Sequence, residues 1–326
     1  MRTSAGRGAL FVPPLPPAVV ELAGRRHRRG ELTTRLLLQT RAFAFVEGYE
    51  LRRRAGRAGI HEDLARIRPE NRGFAYEGAA LAAALADLTA PRRAPGPGDP
   101  GGRNTRLGNL LDGPGAGFVH LIHVGAGWSA AVLPWRAVRR RLTLDPMLRW
   151  LALDGAGFAR GFFGGPRWIR RLADRPDRED PVQAVLRQGV GRSLWFVECG
   201  DVAEIGRQIE RFPPGLRPEL WAGVGLAVCY AGGCADRQFE HLQALAGKDR
   251  AALAQGAAFA AEARRTAGQV PAHTEVAVAA LTGVPAYTAA NWARDSYELA
   301  RAVGPEIDSY RWWQREIRRR ATAAAG

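Results

Sequence analysis

The chain has 326 residues, and its 46% apolar content is enough to bury a sizeable core in one large domain or two ordinary ones. Its net charge of +15 comes almost entirely from arginine, because the chain has a single lysine, Lys248. Arginine runs at 52–54, 139–141 and 318–320 fall at the ends of predicted helices, where cations favour the helix dipole and the solvent. Since no base-reading motif accompanies them, we expect no nucleic-acid partner.

The cysteines and the short apolar runs indicate the cellular compartment in which the protein is found. Cys199, Cys229 and Cys234 form an odd set without a CxxC pair, which is typical of free thiols in a reducing environment. The apolar run at 9–12 is broken by nearby prolines and is too short for a signal peptide. No stretch reaches the length of a membrane span. We therefore expect a cytoplasmic protein without a membrane span.

In chain order, an irregular segment at 1–32 precedes a predicted helix pair at 33–54 and 60–67. Six similar segments follow: EGAALAA from Glu77, VGAGWSA from Val124, DGAGFAR from Asp154, QGVGRSL from Gln188, AGVGLAV from Ala222 and QGAAFAA from Gln255. Their first glycines, at 78, 125, 155, 189, 223 and 256, are 47, 30, 34, 34 and 33 residues apart. The long first interval contains a Pro/Gly/Arg-rich stretch at 91–105, which predicts a surface loop.

The repeats predict the fold class. The residue four positions after each first glycine is also small, so both lie on one helix face and let a neighbouring helix approach closely. Between the repeats, 201–212, 237–246 and 275–281 have apolar residues at helical intervals. After them, 289–302 and 307–321 predict a capping pair docked by Trp312 and Trp313. We expect an all-α domain over 33–326 made of antiparallel helix pairs, either a tetratricopeptide-like solenoid or a closed α/α ring.

Two positions of the repeat carry the candidate site. The residue before the first glycine is polar in four copies, and the residue four positions later is aromatic, aliphatic or, once, arginine. In one interpretation the polar side chains only form hydrogen bonds with backbone groups at helix ends, and the aromatic ones only fill the core. In the other they line a groove or cavity for a large apolar ligand. That second interpretation makes Asp154 and Glu77 the catalytic acids or bases, and assigns ligand binding to Trp128, Phe158, Gln188, Arg192, Gln255 and Phe259.

Other motifs give weaker signals. His120 and His123 supply at most half of a metal site, so we expect no metal. The glycine-rich run at 115–127 lacks the spacing of a phosphate or dinucleotide loop, and no GxSxG motif is present. The three cysteines have no evident histidine partner. We therefore expect no cofactor.

Several longer segments resemble an actinobacterial family of unknown function found in enediyne biosynthetic gene clusters. They are ENRGFAYEGAAL from 70, LLDGPGAGFVHLIHVGAGWSAAVLPW from 110, WLALDGAGFARGFF from 150, QGVGRSLWFVECGD from 188, ELWAGVGLAVCYAGGC from 219 and QGAAFAAEARRTAGQVPAHTEVAV from 255. The resemblance covers roughly residues 30–320. It implies a role in assembling, cyclising, carrying or protecting a polyene-derived intermediate, and it assigns no catalytic residue.

Two functional hypotheses remain. The first is a cofactor-independent cyclase or isomerase that acts on a hydrophobic polyene or isoprenoid-like intermediate, with acid–base catalysis by Asp154 or Glu77. The second is a non-catalytic helical-repeat scaffold or ligand chaperone that holds the intermediate or other biosynthetic proteins.

Overall fold

The computed structural model describes residues 31–55, 59–90, 105–174 and 180–325, and every regular element within these ranges is helical. The all-α prediction is therefore confirmed for the described part of the chain. The predictions for residues 1–30 and for the loop at 91–104 lie outside these ranges. None of the described helices combines the length and the apolar character that a membrane crossing needs.

The helices alternate between long ones that carry the repeat glycines and shorter ones that follow them. In chain order they are α1 (Leu32–Arg54), α2 (Ile60–Ala65), α3 (Pro69–Thr89), α4 (Arg106–Leu111), α5 (Val119–Gly127), α6 (Trp135–Arg141), α7 (Leu151–Ala173), α8 (Pro181–Val197), α9 (Val202–Glu210), α10 (Arg217–Ala231), α11 (Asp236–Ala246), α12 (Arg250–Thr266), α13 (Ala272–Thr282), α14 (Ala286–Val303) and α15 (Ile307–Ala325). We call α1, α3, α5, α7, α8, α10 and α12 the glycine helices.

Local sequence signals explain several helix ends. The side chain of Asp180 caps α8 by accepting a hydrogen bond from the Val182 backbone N–H, and Asp201 caps α9 in the same way through Glu204. Gly165 has a φ of 64° and is followed by Pro166, so α7 bends sharply there. The part of α7 after the bend thus takes the place of the short helix that follows other glycine helices.

Each first glycine lets its helix touch the backbone of the glycine helix before it. A Cβ added to Gly155 would overlap the carbonyl oxygen of Val124, and one added to Gly189 would overlap that of Asp154. The other first glycines, 78, 125, 223 and 256, meet the preceding helix in the same way. The predicted packing seam is therefore present. The small residues four positions later are buried, but the second close backbone contact is made by glycines two positions after the first: Gly127, Gly157, Gly191 and Gly225.

Consecutive glycine helices enclose an interior. Gly157 of α7 lies against Leu186 of α8, and Gly161, four residues later, lies against Val190, so the two helices run in the same direction. Early and late helices of the series also touch: Arg264 of α12 donates a hydrogen bond of 3.1 Å to the Glu70 carbonyl of α3, and Arg41 of α1 donates one of 3.3 Å to the Ala231 carbonyl of α10. The early and late helices therefore pack together around a shared centre.

The C-terminal pair α14 and α15 packs on this assembly through one of the two predicted tryptophans. Trp313 is 2% exposed and donates a hydrogen bond of 2.7 Å to the Ala293 carbonyl, whereas Trp312 is 36% exposed. The prediction that Trp312 also docks the pair is therefore not supported. Arg318 was predicted to face solvent at a helix end, and this prediction is wrong. Helix α15 continues to Ala325, and the Arg318 guanidinium forms an ion pair with Glu219 at 2.7 Å.

The glycine contacts can be tested by one added methyl group. We expect Gly189→Ala to lower the free energy of unfolding by about 2–3 kcal/mol, because the new Cβ would meet rigid backbone of α7. Urea denaturation at neutral pH measures this change. The matched control is Gly206→Ala in α9, where the nearest obstacle is the flexible Leu245 side chain at 3.0 Å. The control should change stability by less than about 1 kcal/mol. Equal losses in both variants would contradict the proposed backbone contact.

Candidate functional site

The centre of the enclosed interior is a cluster of three charged side chains, which we call the ionic centre: Glu77, Asp154 and Arg192. Arg192 Nη2 lies 3.6 Å from Glu77 Oε1, and Arg192 Nε lies 2.9 Å from Asp154 Oδ1. All three residues are at least nine-tenths buried. The structure thus brings both predicted catalytic carboxylates onto one guanidinium that the sequence assigned to ligand binding.

Each carboxylate also accepts one neutral hydrogen bond. Trp128 Nε1 donates to Glu77 Oε1 at 3.0 Å, and Gln188 Nε2 donates to Asp154 Oδ2 at 2.8 Å. The guanidinium lies within ion-pair distance of both carboxylates, but Arg192 Nε, Arg192 Nη2 and Asp154 Oδ1 form no hydrogen bond of good geometry with any described residue. Charge therefore holds Arg192 in place while part of its hydrogen-bonding capacity is unused.

Burial raises the pKa of both Glu77 and Asp154 above the usual carboxylic range, and the positive charge of Arg192 opposes the shift without cancelling it. For Glu77 the neighbouring charge of Asp154 adds to the upward shift. A carboxyl group with a raised pKa holds its proton more readily than an exposed one, and groups with perturbed pKa values are typical of acid–base sites. The ionic centre is therefore the candidate acid–base site of the protein.

On one side of the ionic centre lies a chamber with ring-lined walls, which we call the aromatic chamber. Its cavity volume is about 60 Å³. Trp128 stacks on Phe45 at 4.3 Å and lies 5.2 Å from the Phe158 ring. The other lining residues are Arg41, Ala42, Val46, Phe74, Glu77, Phe162, Phe163, Arg192, Phe196, Leu226, Ala227, Tyr230 and Ala231. The space is therefore narrow and mostly apolar.

A second chamber, which we call the rear chamber, lies between α5, α10, α12 and α15. Its cavity volume is about 40 Å³. Its lining includes Phe259 and Trp313, whose ring centroids are 4.6 Å apart, and His120. Three residues border both chambers: Arg192, Leu226 and Tyr230. The two chambers are thus adjacent at Arg192, one member of the ionic centre.

The eight residues predicted for the site divide into two groups. Five line a chamber: Glu77, Trp128, Phe158, Arg192 and Phe259. Asp154 lines neither chamber and reaches them only through its ion pair with Arg192 at 2.9 Å. Gln188 and Gln255 line neither chamber and instead lie behind Asp154. They support the carboxylate and do not contact the cavity, because Gln255 donates to Gln188 at 3.3 Å while Gln188 donates to Asp154.

From Gln188 a buried polar chain leads to α15. Gln314 Nε2 donates to Gln188 Oε1 at 2.8 Å, and Arg318 Nε donates to Gln255 Oε1 at 3.1 Å. Arg318 and Arg311 both donate to Glu219 of α10, each at 2.7 Å. The C-terminal helix, which carries no repeat, therefore supports the ionic centre from behind.

The sequence missed several lining residues that occupy the same helix face one turn away. Phe162, Phe196 and Tyr230 each lie seven residues after a first glycine, and Phe74 lies four residues before one. The signal was present, because adding one turn in each direction to the predicted face includes all four. For Gln314 and Arg318 no such signal exists, because α15 has no equivalent in the repeats.

The two histidines of the HLIH motif have different surroundings. His123 Nε2 accepts a hydrogen bond of 2.9 Å from the Asp145 backbone N–H, and Nδ1 donates to the Val119 carbonyl at 2.7 Å. Burial lowers the pKa of His120 to about 4, and that of His123 as well, so both are neutral at pH 7. Among the described residues, no three His, Cys, Asp or Glu side chains are grouped so as to hold a metal ion.

The fold and the ionic centre define an all-helical repeat protein with a buried pair of carboxylates between two narrow apolar chambers. The chain belongs to the family described as "Protein of unknown function (DUF1702)", whose model matches residues 4–321. Comparison with curated proteins and with solved structures gives no match.

The ion pairs of Glu219 predict a pH-dependent contribution to stability. Burial would raise the pKa of Glu219, but Arg318 and Arg311 outweigh it and lower the pKa from about 4.5 to about 2. A depressed folded-state pKa stabilises the protein above the unfolded value, and this contribution is lost as the pH falls from about 4.5 towards 2. We expect Glu219→Gln to lower the free energy of unfolding by about 3 kcal/mol at pH 7, and by clearly less at pH 3.

Chemical denaturation of wild type and variant across this pH range measures the effect. The control is Glu275→Gln, which changes an exposed glutamate in the first turn of α13 and should cost less than about 1 kcal/mol at either pH. A cost for Glu219→Gln that does not depend on pH would show that its charge is not what stabilises the contact.

Proposed function

We propose that this protein binds a slender apolar intermediate of natural-product biosynthesis, a polyene or isoprenoid-like chain, and isomerises or cyclises it by acid–base chemistry without a cofactor. The single observation that carries the proposal is the buried cluster of Glu77, Asp154 and Arg192, in which Glu77 lines the aromatic chamber and Arg192 lines both chambers. An apolar pocket with a few convergent polar groups and perturbed pKa values is the usual form of a small-molecule site.

The shape of the chambers supports a slender ligand. Their cavity volumes of about 60 and 40 Å³ leave room only for a narrow ligand. The walls of the aromatic chamber are rings, and ring faces favour contact with flat conjugated groups. The likeness of the sequence motifs to a family from enediyne gene clusters supports a polyketide-derived polyene as the occupant.

The ionic centre supports a proton-transfer reaction that needs no co-reactant. A carboxylic acid at Glu77 or Asp154 adds its proton to one carbon of a conjugated chain, and the other carboxylate removes a proton from a second carbon. The double bonds shift, no electrons are gained or lost, and one proton has passed from one carboxyl group to the other. Ring faces of Trp128 and Phe158 stabilise the positive charge that develops between the two steps.

A second candidate is a ligand chaperone that uses the same chambers without turnover. It is favoured by the fixed partners of the two carboxylates, since Trp128, Gln188 and Arg192 already hold them as a structural cluster would. The chambers are small and lined mostly by buried side chains, which suits a small molecule better than a bound protein segment, so this candidate is a carrier of the intermediate.

Ligand binding can be tested with the fluorescent polyene 1,6-diphenylhexatriene. Because Trp128 and Trp313 line the chambers, we expect bound probe to quench tryptophan emission and to fluoresce by energy transfer. Ala42→Phe places a ring in the aromatic chamber and should weaken probe binding about tenfold or more, a loss of about 1.4 kcal/mol.

The control for this variant is Ala272→Phe, which adds the same ring at an exposed position of α13 and should leave probe binding unchanged. If Ala42→Phe keeps its fold and binds the probe as tightly as wild type, the aromatic chamber is not the binding site.

Catalysis can be tested by Glu77→Gln and Asp154→Asn in the producing cells. Each change keeps the shape of the side chain and removes its ability to exchange a proton. We expect the yield of the pathway product to fall about 100-fold or more, the usual contribution of a general acid or base. Variants that bind the probe and give full product yield would refute the catalytic role and leave the ligand chaperone.

A further inference from the structure

The boundary between the two chambers carries polar groups with unused hydrogen-bonding capacity. Tyr230 Oη is buried and has no hydrogen-bond partner in the described part of the chain, and the N–H groups of Arg192 meet Asp154 and Glu77 as ion pairs at 2.9 and 3.6 Å without forming a hydrogen bond of good geometry. Arg192 is 6% exposed and Tyr230 is 4% exposed. Buried polar groups in folded proteins are almost always hydrogen-bonded to protein, water or ligand, so this cluster needs an explanation.

Tyr230 is held rigidly at this boundary. The Arg264 guanidinium lies 3.8 Å from the centre of its ring, and the Phe74 ring packs against it edge-on. A side chain at Gly73 would overlap Tyr230 Oη, so α3 approaches the hydroxyl with bare backbone. Burial raises the pKa of Tyr230, and the hydroxyl therefore keeps its proton and can donate a hydrogen bond.

The unsatisfied atoms specify the chemistry of the group that would satisfy them. Arg192 supplies N–H donors, Tyr230 supplies an O–H donor, and Asp154 Oδ1 supplies an acceptor. A carbonyl oxygen could accept from both donors, and a hydroxyl group could in addition donate to Asp154. Because Arg192 and Tyr230 border both chambers, this oxygen would lie near the middle of a ligand that extends into each of them.

We propose that the ligand spans both chambers and carries a mid-chain oxygen, as a carbonyl or hydroxyl group, that is bound by Tyr230 Oη and the Arg192 guanidinium. This inference rests on the proposed function and adds the substrate class, an apolar chain oxygenated near its middle. It also assigns a ligand-binding role to Tyr230. Glu77, which lines the aromatic chamber beside Arg192, then lies near the carbons next to the oxygenated position, where protons are the easiest to move.

A matched pair of ligands tests the proposal. The probes are 1,5-diphenylpentan-3-one and 1,5-diphenylpentane, which have the same length and differ in the central carbonyl. Each competes with bound 1,6-diphenylhexatriene. We expect the ketone to displace the polyene at about a tenfold lower concentration than the hydrocarbon. Tyr230→Phe should reduce this preference to about twofold or less and leave displacement by the hydrocarbon unchanged.

Tyr310→Phe is the control. Tyr310 is also fully buried and its hydroxyl also has no partner among the described residues, but it borders neither chamber. We expect this variant to keep the tenfold preference. Equal displacement by the two ligands in wild type, or an unchanged preference in Tyr230→Phe, would overturn the proposal while polyene binding stands. Failure of 1,6-diphenylhexatriene itself to bind would overturn the proposed function and this inference together.

An infrared measurement covers the case in which Tyr230→Phe does not fold. The stretching band of a ¹³C-labelled central carbonyl should move to lower frequency when the ketone binds the wild-type protein, relative to the ketone in hexane, because hydrogen bonds weaken the C=O bond. A band at the hexane position in the bound ketone would overturn the proposal without any variant.

Discussion

The close approach of successive helices at their glycines is the constraint on which the rest of the structure depends. Each first glycine sets its helix against the backbone of the helix before it, so every copy of the repeat meets its neighbour at the same residue. Side chains one position before and three positions after the glycine then have defined places in the interior. Because the helices share this register, Glu77, Asp154 and Arg192 from three separate helices come together at one point.

The ionic centre has no obvious value for stability. Removing charged groups from water costs several kcal/mol for each ion, and exchanging a buried ion pair for well-packed apolar side chains is often neutral or stabilising. Here two carboxyl groups share one guanidinium, at 2.9 and 3.6 Å. A purely structural core would gain from leucine or phenylalanine at these positions. The function we propose gives these charges a role, because it uses them on a ligand in the adjacent chambers.

The surrounding residues show how such a centre is maintained. Gln188 holds Asp154 directly, and Gln255, Gln314 and Arg318 form the layers behind it. Residues that face the chambers can keep unused hydrogen-bonding capacity only if the residues behind them are held in place. The C-terminal helix contributes two of these supports, so the end of the chain is part of the site although it lies outside the repeats.

The sequence by itself determined the helical class, the approximate bounds of the helices and the face on which the site lies, because glycine spacing and apolar periodicity are local properties. It also named the residues that meet in the ionic centre, since repeat positions are shared between copies. Only the tertiary structure decided that the helices enclose two chambers, that Gln188 and Gln255 lie behind Asp154, and that Arg318 is buried instead of solvated. Those facts depend on contacts between residues far apart in the chain, such as Arg318 with Glu219, and no spacing within one helix records them.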